Sequence, residues 1–143
     1  MAIVYFDSSA LVKLVVDEDG SDIAAELWNG CDAAVSSRLA YPEVCAALAA
    51  AGRNHDLTES QAVDATAEWE VFWASMRPVE LSVDVERASG ELAKLHHLRG
   101  ADAVHLASAL TLGVADLVVA VWGKRLHAGV VSVGFAVAPA NLA

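Results

Sequence analysis

Ala2-Ile3-Val4-Tyr5-Phe6 runs without a charged residue and then meets Asp7, followed by Ser8-Ser9-Ala10-Leu11. An apolar run of this kind, with little alternation, is what a parallel strand buried on both faces requires. The acid directly behind it falls at the carboxyl end of the strand, the edge where open α/β sheets gather ligands. Outward from this stretch, strand and helix signals alternate. Residues 8–16 read as a helix ended by the acidic turn 17–20. Residues 21–29 read as a second helix, with Ser21 or Gly20 at its cap and Gly30 past its end. Residues 33–36 form a short strand, and 39–53 a helix with Pro42 in its first turn, where the missing N–H costs nothing. Thr58 and Gln61 make a capping box that opens a helix to about residue 75.

A strand over 77–81 and a helix over 84–98, closed by Gly100, come next. A helix over 102–112 is stopped by Gly113. The β-branched strand 116–121, a short helical piece at 124–128 and a last strand at 134–137 complete the pattern. Strands alternating with helices predict a doubly wound parallel sheet flanked by helices, an α/β/α sandwich, in one domain over residues 1–143.

Composition narrows the function. Nine Lys and Arg against 19 Asp and Glu give a net charge of −10, and 56% of the 143 residues are apolar. Ordinary domains carry about 45–50% apolar residues, so the excess predicts apolar surface covered by a partner or a second copy. An acidic chain does not hold nucleic acid by bulk charge; any such activity needs a local basic rim or bridging cations. Cys31 and Cys45 form no CxxC pair, and Cys45 reads as a small buried hydrophobe. The opening residues carry no basic stretch and no cleavage site, and no stretch approaches the ~18 apolar residues of a membrane span. The expectation is a soluble cytoplasmic protein.

Three acids stand out by position. Asp7 follows the first strand. Glu43 shares a helix face with Leu39, Ala46, Ala47 and Ala50, a face expected to be buried. Asp102 opens a helix whose same face carries His105, Leu106 and Ala109. A lone buried carboxylate is costly unless it is paired, protonated or on a metal. Each acid also has a structural reading: Asp7 and Asp102 as helix caps, and Glu43 as a partner of Arg38 or Arg53. If they converge, their repulsion calls for a divalent cation, and hard oxygen ligands favour Mg²⁺ or Mn²⁺ over zinc. His105 reads as a packed core histidine. Trp28, Trp69, Trp73 and Trp122 read as core or interface anchors, and Lys94, His96, His97 and Arg99 as cations suited to a helix end.

The segment Phe6-Asp7-Ser8-Ser9-Ala10-Leu11-Val12-Lys13-Leu14, with Glu18-Asp19-Gly20-Ser21 after it, resembles the opening of VapC-type PIN domains. Ser36-Ser37-Arg38-Leu39-Ala40-Tyr41-Pro42-Glu43-Val44 is similar to the second block of that family. The stretch from Leu98-Arg99-Gly100-Ala101-Asp102 through Ala103-Val104-His105-Leu106-Ala107-Ser108-Ala109 is similar to the third. The resemblance implies that Asp7, Glu43 and Asp102 are catalytic acids holding Mg²⁺ or Mn²⁺, with Ser9 a hydroxyl near the metal. It implies a metal-dependent endoribonuclease, the toxin of a type II toxin–antitoxin pair, with RNA as substrate, a VapB-type antitoxin as partner and a homodimer as assembly. The helices at 21–29 and 58–75 would wall the antitoxin groove. Lys124, Arg125 and Arg38 are the expected phosphate contacts, with Lys13 and His127 nearby.

The fourth block departs from the pattern. The family commonly reads Thr-x-Asp-x-x-Leu where this chain has Val121-Trp122-Gly123-Lys124-Arg125-Leu126. Gly123 stands where a fourth acid usually is, which favours one tightly held ion and reduced activity. It also leaves a rival reading, a PIN-like module that binds RNA or antitoxin without efficient cleavage. Asp116 precedes the strand and belongs to the opposite edge. A phospho-acceptor signalling domain would need a second acid after the first strand, and none is there.

Overall fold

The structure, a computed structural model, describes residues 1–142. Strands β1 (Ile3–Phe6), β2 (Ala33–Ser37), β3 (Arg77–Val79), β4 (Val118–Ala120) and β5 (Ala136–Ala138) form one sheet in the order β3-β2-β1-β4-β5. All four pairings are parallel, with Val4 opposite Ala34 and Val118, and Phe6 opposite Ala120. The chain therefore leaves β1 toward β3 and returns to its other side for β4 and β5. The reversal lies beside β1, and Asp7 sits at its carboxyl end, with its N–H bonded to Ala120 O.

Helices α1 (Ser8–Val15), α2 (Ser21–Gly30), α3 (Ala40–Arg53) and α4 (Glu59–Ala74) pack with Val4, Phe6 and Ala34 in one core. Helices α5 (Val83–His96), α6 (Gly100–Thr111) and α7 (Lys124–Ser132) cover the other face, over Tyr5, Val35 and Val119. The alternation of Val4, Tyr5 and Phe6 between the two cores is the strand period at work. The first core is aromatic: Phe6, Trp28 and Phe72 form one chain of rings, and Tyr41, Trp69 and Trp73 another. Trp69 is fully buried, whereas Trp28, Trp73 and Trp122 are only half-buried. The second core is aliphatic, built from Leu98, Leu106, Leu117, Leu126 and Val130. No described helix is long and apolar enough to cross a membrane.

Several local expectations are corrected. Gly30 is the last residue of α2, not the one beyond it. Gly100 opens α6; the residue that ends α5 is His97, at φ 55. The capping box of Thr58 and Gln61 forms as expected. The buried face of α3 carries Ala40, Val44 and Leu48, whereas Ala46 and Ala47 are exposed. In a helix this rich in alanine, the two larger side chains decide which face turns inward, because they bury more apolar area. Glu43 therefore stands at the rim of α3, half-buried.

Candidate active site

Asp7 ends β1 and is the N-cap of α1, where its Oδ1 accepts from Ala10 N at 3.0 Å. Ser9 Oγ donates to the same oxygen at 2.6 Å. Both described bonds fall on Oδ1, so the cap role and a ligand role are compatible: one oxygen anchors the side chain and the other is spare. Asp7 is 5% exposed. Burial pushes its carboxyl above the ordinary aspartate range; His105, Ser9 and Ala10 pull it back, and the charge of Asp102 raises it again.

Asp102 lies in the first turn of α6, not at its cap, which is Arg99. Its carboxyl is also raised, first by burial and then by Glu43, against the lowering influence of His105, Arg99 and Arg125. Glu43, in the first turn of α3, accepts from His105 Nε2 at 2.6 Å through Oε1. The three acids come from positions far apart in the chain. The charge of Asp102 bears on Asp7 and that of Glu43 on Asp102, and His105 is bonded to Glu43 and bears on both aspartates.

The other candidates separate. Ser9 Oγ accepts from Trp122 N at 3.1 Å while donating to Asp7, so it holds the acid in place and ties β4's end to it. Arg38 is drawn to Glu80 at 2.9 Å, not to Glu43. Lys13 pairs with Glu18 at 3.0 Å and lies 5.1 Å from the Trp122 ring centroid. Lys124 and Arg125 are exposed at the start of α7, and Arg125 acts on Asp102 as expected of a residue at this edge. Gly123 is the N-cap of α7, and a Cβ built on it meets nothing within 4 Å. Asp116 is exposed ahead of β4, on the far edge. Gly20 has φ +91, and a Cβ there would lie 2.7 Å from Trp122 Nε1.

Sequence reasoning missed two residues. His105 is 2% exposed, as a core histidine would be, but both ring nitrogens are engaged, Nδ1 with the Tyr5 hydroxyl at 2.8 Å. Its place three residues after Asp102, on the same helix face, was the available signal. Arg99, read as a helix-end cation, instead precedes α6 and acts on Asp102.

The donor chemistry suits a hard divalent cation: carboxylates, spare oxygens on Asp7 and Glu43, and mutual repulsion that a cation would offset. Among the described residues no group of three or more His, Cys, Asp or Glu stands as a ready-made metal centre.

The family pattern of the PIN domain matches residues 4–120, from β1 through β4. The chain belongs to the PIN domain family. Within it, this PIN domain is 65% identical over 142 residues to ribonuclease VapC45 of Mycobacterium tuberculosis strain CDC 1551 / Oshkosh, covering 99% of each chain. The same figures hold for ribonuclease VapC49 of strain H37Rv. Among solved structures, a toxin-antitoxin complex from Klebsiella pneumoniae has a chain matching at TM-score 0.65 with 20% identity, each chain covered in full. That match supports the fold, and the mycobacterial relatives support the VapC-type assignment.

Proposed function

We propose that this PIN domain is a divalent-cation-dependent endoribonuclease, the toxin of a type II toxin–antitoxin pair. The observation that carries the reading is the 65% identity over nearly the whole chain to named ribonucleases. It is supported by Asp7 at the carboxyl end of β1, whose carboxyl feels Asp102, and by Asp102, whose carboxyl feels Glu43. Asp7 through its spare oxygen, Asp102 and Glu43 would hold Mg²⁺ or Mn²⁺. When bound, such an ion makes water nucleophilic near neutral pH and offsets charge on the phosphoryl oxygens. The chain's own part is positioning. Ser9 and the Ala10 N–H fix Asp7, and Arg99, Lys124 and Arg125 supply the basic rim that an acidic protein needs to approach RNA.

Arg99, Lys124 and Arg125 have no carboxylate partner among the described residues, as is also true of Arg53 and Arg77, whereas Lys13, Arg38, Arg87 and Lys94 each have one. What sets Arg99 and Arg125 apart is that both bear on Asp102. All 143 residues are taken as one domain, since α7 and β5 lie beyond the matched region yet complete the sheet and its second layer. Val63 and Val71, exposed on α4, support an apolar partner such as a VapB-type antitoxin or a second copy. Trp28 of α2 meets Phe72 of α4 edge to face, so the two proposed groove walls touch through these rings. A cytoplasmic location suits such a pair. The reading is tested by purified protein on RNA with Mn²⁺ or with chelator. Cleavage by wild type with Mn²⁺ but not with chelator, and loss in Asp102→Asn, are expected; undiminished cutting by Asp102→Asn would overturn it. The reading as a non-cutting module draws on Gly123 alone, and cation-dependent cleavage would dispose of it.

A further inference from the structure

We infer that His105 is the positioning residue for Glu43, and that Tyr5 sets the orientation of His105. Tyr5 lies at the centre of β1 and is fully buried. His105 lies on α6 and Glu43 on α3, in helices that cover opposite faces of the sheet. The three side chains form one line, Tyr5 hydroxyl to His105 Nδ1 at 2.8 Å and His105 Nε2 to Glu43 Oε1 at 2.6 Å. The Tyr5 and His105 rings also meet edge to face, with centroids 5.9 Å apart. The imidazole thus has little freedom to turn.

Hydrogen bookkeeping fixes the direction of these bonds. An ionised Glu43 carboxylate can only accept, so Nε2, 2.6 Å from Oε1, carries the proton of that bond. In the neutral ring Nδ1 is then bare and accepts from the Tyr5 hydroxyl at 2.8 Å. An imidazolium would also carry a proton on Nε2. In either form Nε2–H donates to the Glu43 carboxylate, a charge-assisted bond across two layers of the molecule. Oε1 is thereby occupied, and Oε2 is the oxygen left without a described partner. Glu43 is half-buried at the rim of α3, where a glutamate still has several rotamers open to it; the bond to the buried histidine restricts that freedom. Partners that orient ligating groups are worth about 10–100-fold in metal affinity or activity.

The activity part of this inference rests on the ribonuclease reading; the structural part does not. The test uses full-length wild type, Glu43→Gln, His105→Leu, His105→Gln and Tyr5→Phe. Leucine fills the buried volume without a donor, and glutamine can return an N–H near the Nε2 position. Nitrogen-15 NMR of the wild-type ring, without metal, should show protonated Nε2, and Glu43→Gln should shift that signal. An unprotonated Nε2, or a signal indifferent to Glu43→Gln, overturns the inference even if RNA is cut. Mn²⁺ titration should show His105→Leu weakened about 10-fold or more, His105→Gln recovering most of the loss, and Tyr5→Phe falling between. Folded His105→Leu with wild-type Mn²⁺ affinity also overturns it. If His105→Leu does not fold, His105→Gln and Tyr5→Phe carry the comparison, and wild-type affinity in Tyr5→Phe together with an unprotonated Nε2 sinks the idea. A wild type that binds Mn²⁺ yet cuts no RNA would count against the ribonuclease reading alone.

Discussion

The two edges of the parallel sheet carry acids to opposite effect. At the amino edge, Asp32 accepts from Ala2 N at 2.6 Å and Asp116 is exposed to solvent. At the carboxyl edge, Asp7 and Asp102 are pushed above their ordinary range, with burial as the leading cause and other carboxylates adding to it. The residue type is the same, and the free-energy cost of its charge is not. Costly charges of this kind cluster where something later offsets them, so the contrast between the edges supports the proposed site.

The largest way to break the contrast is by activity. Asp7→Asn and Asp102→Asn should each lower RNA cleavage by on the order of 100-fold, whereas Asp32→Asn and Asp116→Asn should leave it unchanged. Equal losses at both edges would dissolve the distinction. Next in size is the response to a cation. At about a hundredfold excess over its Kd, Mn²⁺ should stabilise the fold by about 2.7 kcal/mol, raising Tm by roughly 5–10 °C. Scanning calorimetry should find that shift in wild type and Asp116→Asn and find it reduced in Asp102→Asn.

A smaller effect of opposite sign should appear without metal. A carboxyl whose pKa is raised on folding favours the folded state while protonated. Metal-free stability should therefore fall as pH climbs from near 3.8 through the raised values, and then level off. Asparagine caps a helix as well as aspartate, so Asp7→Asn should flatten that fall and raise the metal-free Tm at neutral pH. A lower Tm in Asp7→Asn would mean that the charge is already compensated. The smallest effect concerns the basic rim. Arg99→Ala and Arg125→Ala should each reduce the salt slope of RNA binding by about 0.7, one phosphate contact apiece, and Arg38→Ala, whose charge is spent on Glu80, should not.

Much of the fold was legible because apolar runs and caps are local signals. The run before Asp7, the Thr58–Gln61 box and the β-branched strand at Val118 all declare themselves within a few residues. Helix faces in α3 did not, since alanines at 46, 47 and 50 say little about which side turns inward until Val44 and Leu48 meet the core. Glycines were ambiguous for a related reason: Gly100 suits a helix start as readily as a stop, and the αL position closing α5 fell to His97 instead. Asp7 was placed by the strand before it, whereas Glu43 and Asp102 were singled out by helix faces and by the family blocks, and the face read for Glu43 is not the buried one. His105 was not, because its meaning depends on Glu43 across the sheet and on Tyr5 at the other end of the chain. Bonds over such separations leave no periodic trace in a sequence.

The seat of the Trp122 indole against Gly20 makes an outlying turn a mechanical stop. A methyl group at residue 20 would strike the indole, whose backbone N–H feeds Ser9 and through it Asp7. A wedge there would travel through three touching groups before reaching a reacting atom. A substitution in the turn would thus be felt at Asp7, which the turn never contacts.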